Sequence, residues 1–302
     1  MTPRAGGPST VGDGLRVSGA APSLVAVTVV AGTGMAAVVA TSLGLMPLFG
    51  EPELGTDGWS RLSPDLLPSI RESLTIAGAA TALAAAVGLF LAGLMLLQGR
   101  AANLIRVVCV LVLAVPHLVG ATSVGLLLSD GGVACRLLGV TDSWPALVGG
   151  SLPFATVLEL AWKESAFVAL VVVAAIGPGH RTRSEVAAGL GAGPIKRWTR
   201  VVLPTAAPAL AASSLVTFVY AIGSYEVAWL LGRAVPEPLP VMAFRLFGSI
   251  ELADRPAAAA AATVGAALSV GIAGVVLLAL PRLRTALGAD PLATDTSTGA
   301  TA

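Results

Sequence analysis

The chain has 302 residues, 55% of them hydrophobic and 12% charged, with a formal net charge of +1 and a mean hydropathy of +0.86. A soluble domain carries about a quarter charged residues, so this composition excludes an ordinary globular protein. With the apolar residues gathered into long blocks, it predicts an all-α, polytopic integral membrane protein. The near-neutral balance gives no support to a nucleic-acid partner, and Cys109 and Cys135 make no metal or redox spacing.

Residues 1–22 are rich in Gly, Ser and Pro and read as a disordered arm. Apolar blocks follow at 24–48, 74–97, 105–128, 154–176, 206–231 and 257–280. Each is long enough, at about 1.5 Å per residue, to cross a hydrocarbon core of about 30 Å, which predicts six transmembrane helices. The first block is too long for the core of a cleavable signal peptide and reads as a retained anchor. The expected organisation is an arm (1–22), a first helix with its outer loop (23–67), a core of five helices (68–284) and a disordered tail (285–302). With the N-terminus inside, the inner segments hold eleven Lys and Arg and the outer ones six. That bias predicts a multi-pass protein of the cell membrane with both termini cytoplasmic.

Charges inside the blocks are expensive and therefore informative. Glu159, Lys163 and Glu164 fall in the fourth, where Glu159 and Lys163 have the i,i+4 spacing of an ion pair. Two placements are open: a pair at the outer interface, or a role along a hydrated path. Glu226, late in the fifth block with Tyr225 and Trp229 beside it, is a candidate for the solute path or for the cap of a broken helix. His117 follows Pro116 and suggests a kink, and no second His stands at metal-ligand spacing. Gly88, Gly120, Gly125, Gly265, Gly271 and Gly274 suggest close packing between helices. The outer loops at 50–71 and 233–255 remain, the second stiffened by Pro236, Pro238 and Pro240.

Residues 184–204 are the most distinctive stretch. Ser184 is expected to cap a helix opening at Glu185, with Ala187, Ala188 and Gly191 keeping one face small. Pro194 suits the start of a second short helix, on which Trp198, Val201 and Val202 oppose Lys196, Arg197 and Arg200. Leu203 and Pro204 then open the next membrane helix.

The register of Glu185, Ala187, Ala188, Gly191, Val201, Leu203 and Pro204 resembles the cytoplasmic signature of MetI-like ABC-importer permeases. Val186 and Leu190 depart from its commonest form. Around it, 73–88 and 161–170 resemble core helices of that family. The stretch 223–232 is similar to a segment of the branch moving spermidine and putrescine, ferric iron, thiamine or sulfate, with Tyr225 and Ala228 where Phe and Pro are usual. The resemblance implies a five-helix permease core and a loop that docks in a separate ATPase subunit. It further implies a path formed with a second permease, identical or not, and solute delivery by an extracytoplasmic binding protein, all amid membrane lipid.

No Gly-Lys-Ser/Thr phosphate loop occurs, so neither ATP hydrolysis nor a cofactor is expected of this chain. Two rival readings are a secondary transporter or channel not driven by ATP, for which no inverted repeat is visible, and an intramembrane enzyme. The nearest nucleophile motif, at 121–125, lacks its first Gly and a convincing base.

Overall fold

A computed structural model describes residues 11–97, 99–140, 143–177 and 179–286; the first part of the expected arm and most of the tail lie outside the described residues. Twelve helices account for almost all of it: α1 Val11–Ser42, α2 Asp57–Met95, α3 Arg100–Ala114, α4 His117–Leu128, α5 Val133–Leu138, α6 Phe154–Ile176, α7 His180–Gly189, α8 Pro194–Arg197, α9 Leu203–Gly223, α10 Glu226–Leu231, α11 Leu239–Phe247 and α12 Arg255–Ala286. Five stretches, Ala21–Ser42, Asp57–Met95, His117–Leu138 (α4 with α5), Pro194–Gly223 (α8 through α9) and Leu252–Ala279, are long and apolar enough to cross a membrane, six if α6 and α7 count as one bent span. α6 is a special case. It has 23 residues, but Glu159, Lys163 and Glu164 fall in every long window of it.

The helices differ from the sequence expectations at their ends. α1 already begins at Val11, inside the expected arm, and α2 begins at Asp57, with Pro64 and Pro68 accommodated in its body. The expected outer loop 50–71 thus contracts to the residues before α2. Within 233–255, α11 replaces a stiff extended strap. The third apolar block is broken: α3 stops at Ala114 and α4 starts at His117. Pro116 (φ −60°, ψ 144°) has no amide hydrogen to continue the ladder and pushes Val115 into extended backbone.

α2 and α6 form the centre of the bundle, flanked by α9, α3 and α4. They approach closely because α2 presents Gly88, where a β-carbon would come within 2.7 Å of the Val168 side chain and 2.9 Å of the Ser165 carbonyl. Such small-residue contacts let backbones meet where lipid supplies no hydrophobic drive. By contrast Gly265, Gly271 and Gly274 on α12 have nothing within 4 Å of a β-carbon, so within this chain they do not close-pack. The outward faces stay apolar: Leu104, Leu111, Val216, Val270 and Leu278 are all exposed, as a lipid-facing surface requires.

Candidate functional site

Three polar constructions stand out on this apolar bundle: a loop device between α6 and α9, a cavity at the opposite end, and a charged cluster between them.

The loop is tightly built. α7 turns from α6 by 70° and opens at His180, not at Glu185. Ser184 is therefore inside the helix and caps nothing, while Glu185 pairs with Arg181 one turn earlier, at 3.1 Å. α7 stops in a Schellman arrangement: the Ala192 amide donates to the Ala187 carbonyl and the Gly191 amide to that of Ala188, both at 2.9 Å. Gly191 closes it at φ +80°, which explains why glycine stands there. Pro194 is the first residue of α8, as the sequence suggests, and a π-helical turn over Trp198–Val202 leads into α9 with Pro204 in its first turn.

What fastens the loop to the membrane helices is Trp198. Its indole packs against the buried core cluster that includes Ala92, Met95, Ala169, Val172, Val202 and Ala206. Gly93 leaves it room, since a β-carbon there would come within 2.8 Å of the ring. Sequence pattern alone identified Trp198 as apolar but not Gly93 as its seat. Val201 is half-buried, Leu203 and Pro204 lie against the bundle, and Ala187 and Ala188 stand on the small face of α7. The opposite outcome holds for Val186, Leu190 and Ile195, whose side chains are largely exposed, Leu190 at 84%. Exposed apolar side chains of this kind are found at surfaces that meet another protein or a membrane.

At the other end lies a cavity of about 940 Å³ whose lining includes Asp65, Tyr225, Trp229, Arg233, Glu237 and Arg245. Tyr225 and Trp229 stack with ring centres 6.2 Å apart, so two of the three candidate path residues share this wall. Glu226 is exposed as the first residue of α10, following a break at Ser224 and Tyr225, and is not part of that lining. The cavity is braced by ions that the sequence reading did not single out. Arg233 donates to both carboxylate oxygens of the buried Glu72 and, at 2.7 Å, to the Ser151 carbonyl. Arg245 donates to Glu237 at 2.8 Å; these hydrogen bonds outweigh burial and hold the guanidinium above its ordinary value.

The middle of the bundle holds the charges of α6. Glu159 is fully buried and Lys163 is 2% exposed, so both charges lie inside the bundle and not on its surface. Nor do these two bond to one another. The Lys163 ammonium turns to the freed end of α3 and donates to the carbonyls of Val115 and, at 3.4 Å, Val112. His117, first residue of α4, lies between the acids: Nδ1 is 3.5 Å from Glu159 and Nε2 is 3.6 Å from Glu164. Thr217 of α9 donates its hydroxyl to Glu164 at 3.2 Å, and the Tyr220 ring lies 4.8 Å from that of His117. Gly120 makes this possible, because a β-carbon there would stand 2.5 Å from a Glu159 oxygen. No group of His, Cys, Asp and Glu able to hold a metal occurs among the described residues.

An all-helical membrane bundle with an apolar-tipped loop at one end and ionisable groups in its core is an architecture compatible with a transport component. The chain belongs to the family of binding-protein-dependent transport system inner membrane components, whose profile matches residues 84–285. It is thus a MetI-like ABC-importer permease subunit, non-catalytic, with ATP hydrolysis carried by a separate subunit.

Solved structures agree in fold. A bacterial ABC transporter involved in the import of the acidic polysaccharide alginate is 20% identical, over 89% of this chain and 96% of that one, with a TM-score of 0.67. The inward-facing MetNI methionine ABC transporter is 16% identical over 75% and 98%, TM-score 0.57. An amino acid ABC transporter with histidines is 18% identical over 74% and 96%, TM-score 0.53. No curated protein matches the chain by sequence.

Proposed function

We propose that this subunit forms half of a solute path with a second permease, and that residues 185–204 couple that path to the ATPase. The loop lies in the cytoplasm, together with both termini, in a bacterial plasma membrane. The carrying observation is mechanical. α7 is halted by Gly191, and the next helical segment is anchored by Trp198 in the core shared by α2, α6 and α9. A push on Val186, Leu190 or Ile195 is therefore delivered to membrane helices instead of being lost in a slack loop. Glu185, Ala187 and Ala188 shape the docking face, and Val201, Leu203 and Pro204 join it to α9.

A binding protein delivers solute at the opposite end, where Tyr225 and Trp229 meet it in the cavity and Glu226 meets it on the exposed start of α10. The likeness of 223–232 to the branch moving polyamines, ferric iron, thiamine or oxyanions supports a small charged solute.

The test is disulfide trapping. With Ala188→Cys against cysteines placed in the ATPase's cleft, cross-linking should block accumulation, and reduction should restore it. Labelling of the same cysteine only from outside the cell would refute the arrangement. So would uptake that survives loss of the ATPase but not collapse of the proton gradient.

A further inference from the structure

The loop and the far-end cavity leave the costliest groups in the molecule unexplained. On α6, Glu159, Lys163 and Glu164 are the sixth, tenth and eleventh of 23 residues, so Glu164 lies halfway along the helix. A single charge at the bilayer centre costs about 2.5–3.5 kcal/mol on insertion scales, and such residues are retained where they serve a path. Here two carboxylates face one ammonium, and that ammonium is committed to the α3 carbonyls.

The cluster is short of donors. A neutral imidazole has one N–H and one lone pair, so His117 can donate to only one of its two acidic neighbours. At 3.5 and 3.6 Å both contacts are longer than a hydrogen bond. Neither oxygen of the fully buried Glu159 has a hydrogen-bond partner, and neither does Nδ1 of His117. Yet the cluster is not sealed, because the side chains of His117 and Glu164 are 22% and 12% exposed. Tyr220 adds an aromatic wall beside them, its ring 4.8 Å from that of His117. The setting is a break between two helices beside the middle of α6, and broken helices are where transport proteins bind solute and ions.

We infer that His117, Glu164 and Tyr220 form a solute-contact point within the membrane and that it selects a solute carrying an ammonium or guanidinium group. This rests on the permease reading and narrows it. The cation supplies a charged donor to the partly exposed Glu164 carboxylate, while the rings of Tyr220 and His117 receive its face. An oxyanion would face a carboxylate and, among the described residues of the cluster, no uncommitted Lys or Arg.

The experiment is accumulation of labelled putrescine, arginine, sulfate and maltose in cells carrying the full transporter, paired with thermal unfolding of the detergent-purified chain with the same four probes. Putrescine or arginine should accumulate and should raise the unfolding midpoint. Glu164→Gln should cut that accumulation about tenfold, the value of one charge-assisted bond, and remove the shift. Tyr220→Ala leaves every buried charge in place and serves if Glu164→Gln does not reach the membrane; it should likewise reduce uptake of the cation. ATPase-dependent accumulation of sulfate or maltose, or cation uptake unchanged in the variants that reach the membrane, overturns the inference alone. Accumulation indifferent to the ATPase sinks the permease reading instead.

Discussion

The ammonium of Lys163, buried on α6, donates to the carbonyl oxygen of Val115 at the end of α3. Pro116 releases that carbonyl by ending the helix, and no water is at hand in a bilayer to satisfy it. The positive charge also suits the negative end of the α3 dipole. One residue thus allows a membrane helix to break and ties the break to the central helix of the bundle.

Lys163→Met should therefore be severely destabilising. It strips the α3 carbonyls of their donor and leaves Glu159 buried without a neighbouring cation, a loss of about 3–5 kcal/mol by analogy with broken buried pairs. The midpoint of unfolding in detergent checks this. Adding Glu159→Gln to Lys163→Met should recover part of the loss, because the uncompensated carboxylate is then neutral.

Gly88→Ala should weaken the α2–α6 contact. The added methyl meets Val168 at 2.7 Å and the Ser165 backbone at 2.9 Å, and the backbone cannot step aside alone. Overpacking of this kind costs about 1–3 kcal/mol. Denaturant titration of the purified chain should show the loss, and Val168→Ala in the same chain should relieve some of it.

Gly191→Val should leave the membrane bundle folded but spoil the loop. A β-branched residue at φ +80° is strained by about 1–2 kcal/mol, although nothing crowds its β-carbon. Co-purification of the ATPase should fall while the unfolding midpoint of the bundle hardly moves. Gly191→Asn, better tolerated in the left-handed region, should retain more of the complex.

Arg233→Gln should loosen the end of the bundle away from the loop, since Glu72, only 4% exposed, loses its bidentate partner. A loss of about 3–5 kcal/mol is expected. Glu72→Gln combined with it should be less damaging than Arg233→Gln alone, and the double-mutant cycle measures the coupling.

Much of this protein was legible along the chain. Apolar blocks of membrane length, the small-residue helix ending at Gly191 and the start of α8 at Pro194 all depend on neighbours in sequence. Local physics decides such features: the length needed to cross a bilayer, the φ that only glycine accepts, the ring of proline. The helix starts were less legible. α7 opens at His180 although Ser184 precedes an apparent first turn, because Arg181 pairs with Glu185 within a helix already under way.

The contacts that give the site its character were decided only by the tertiary structure. Glu72 meets Arg233 across 161 residues and Lys163 meets Val115 across 48, while Gly93 of α2 seats Trp198 of the loop. In a soluble protein the apolar stripe of a helix reveals which face is buried. In a bilayer lipid is as apolar as a neighbouring helix, so the pattern says that a segment spans and not which side of it packs. That choice falls to the fit of small residues and to the partners that buried charges find, and both exist only once the helices are together.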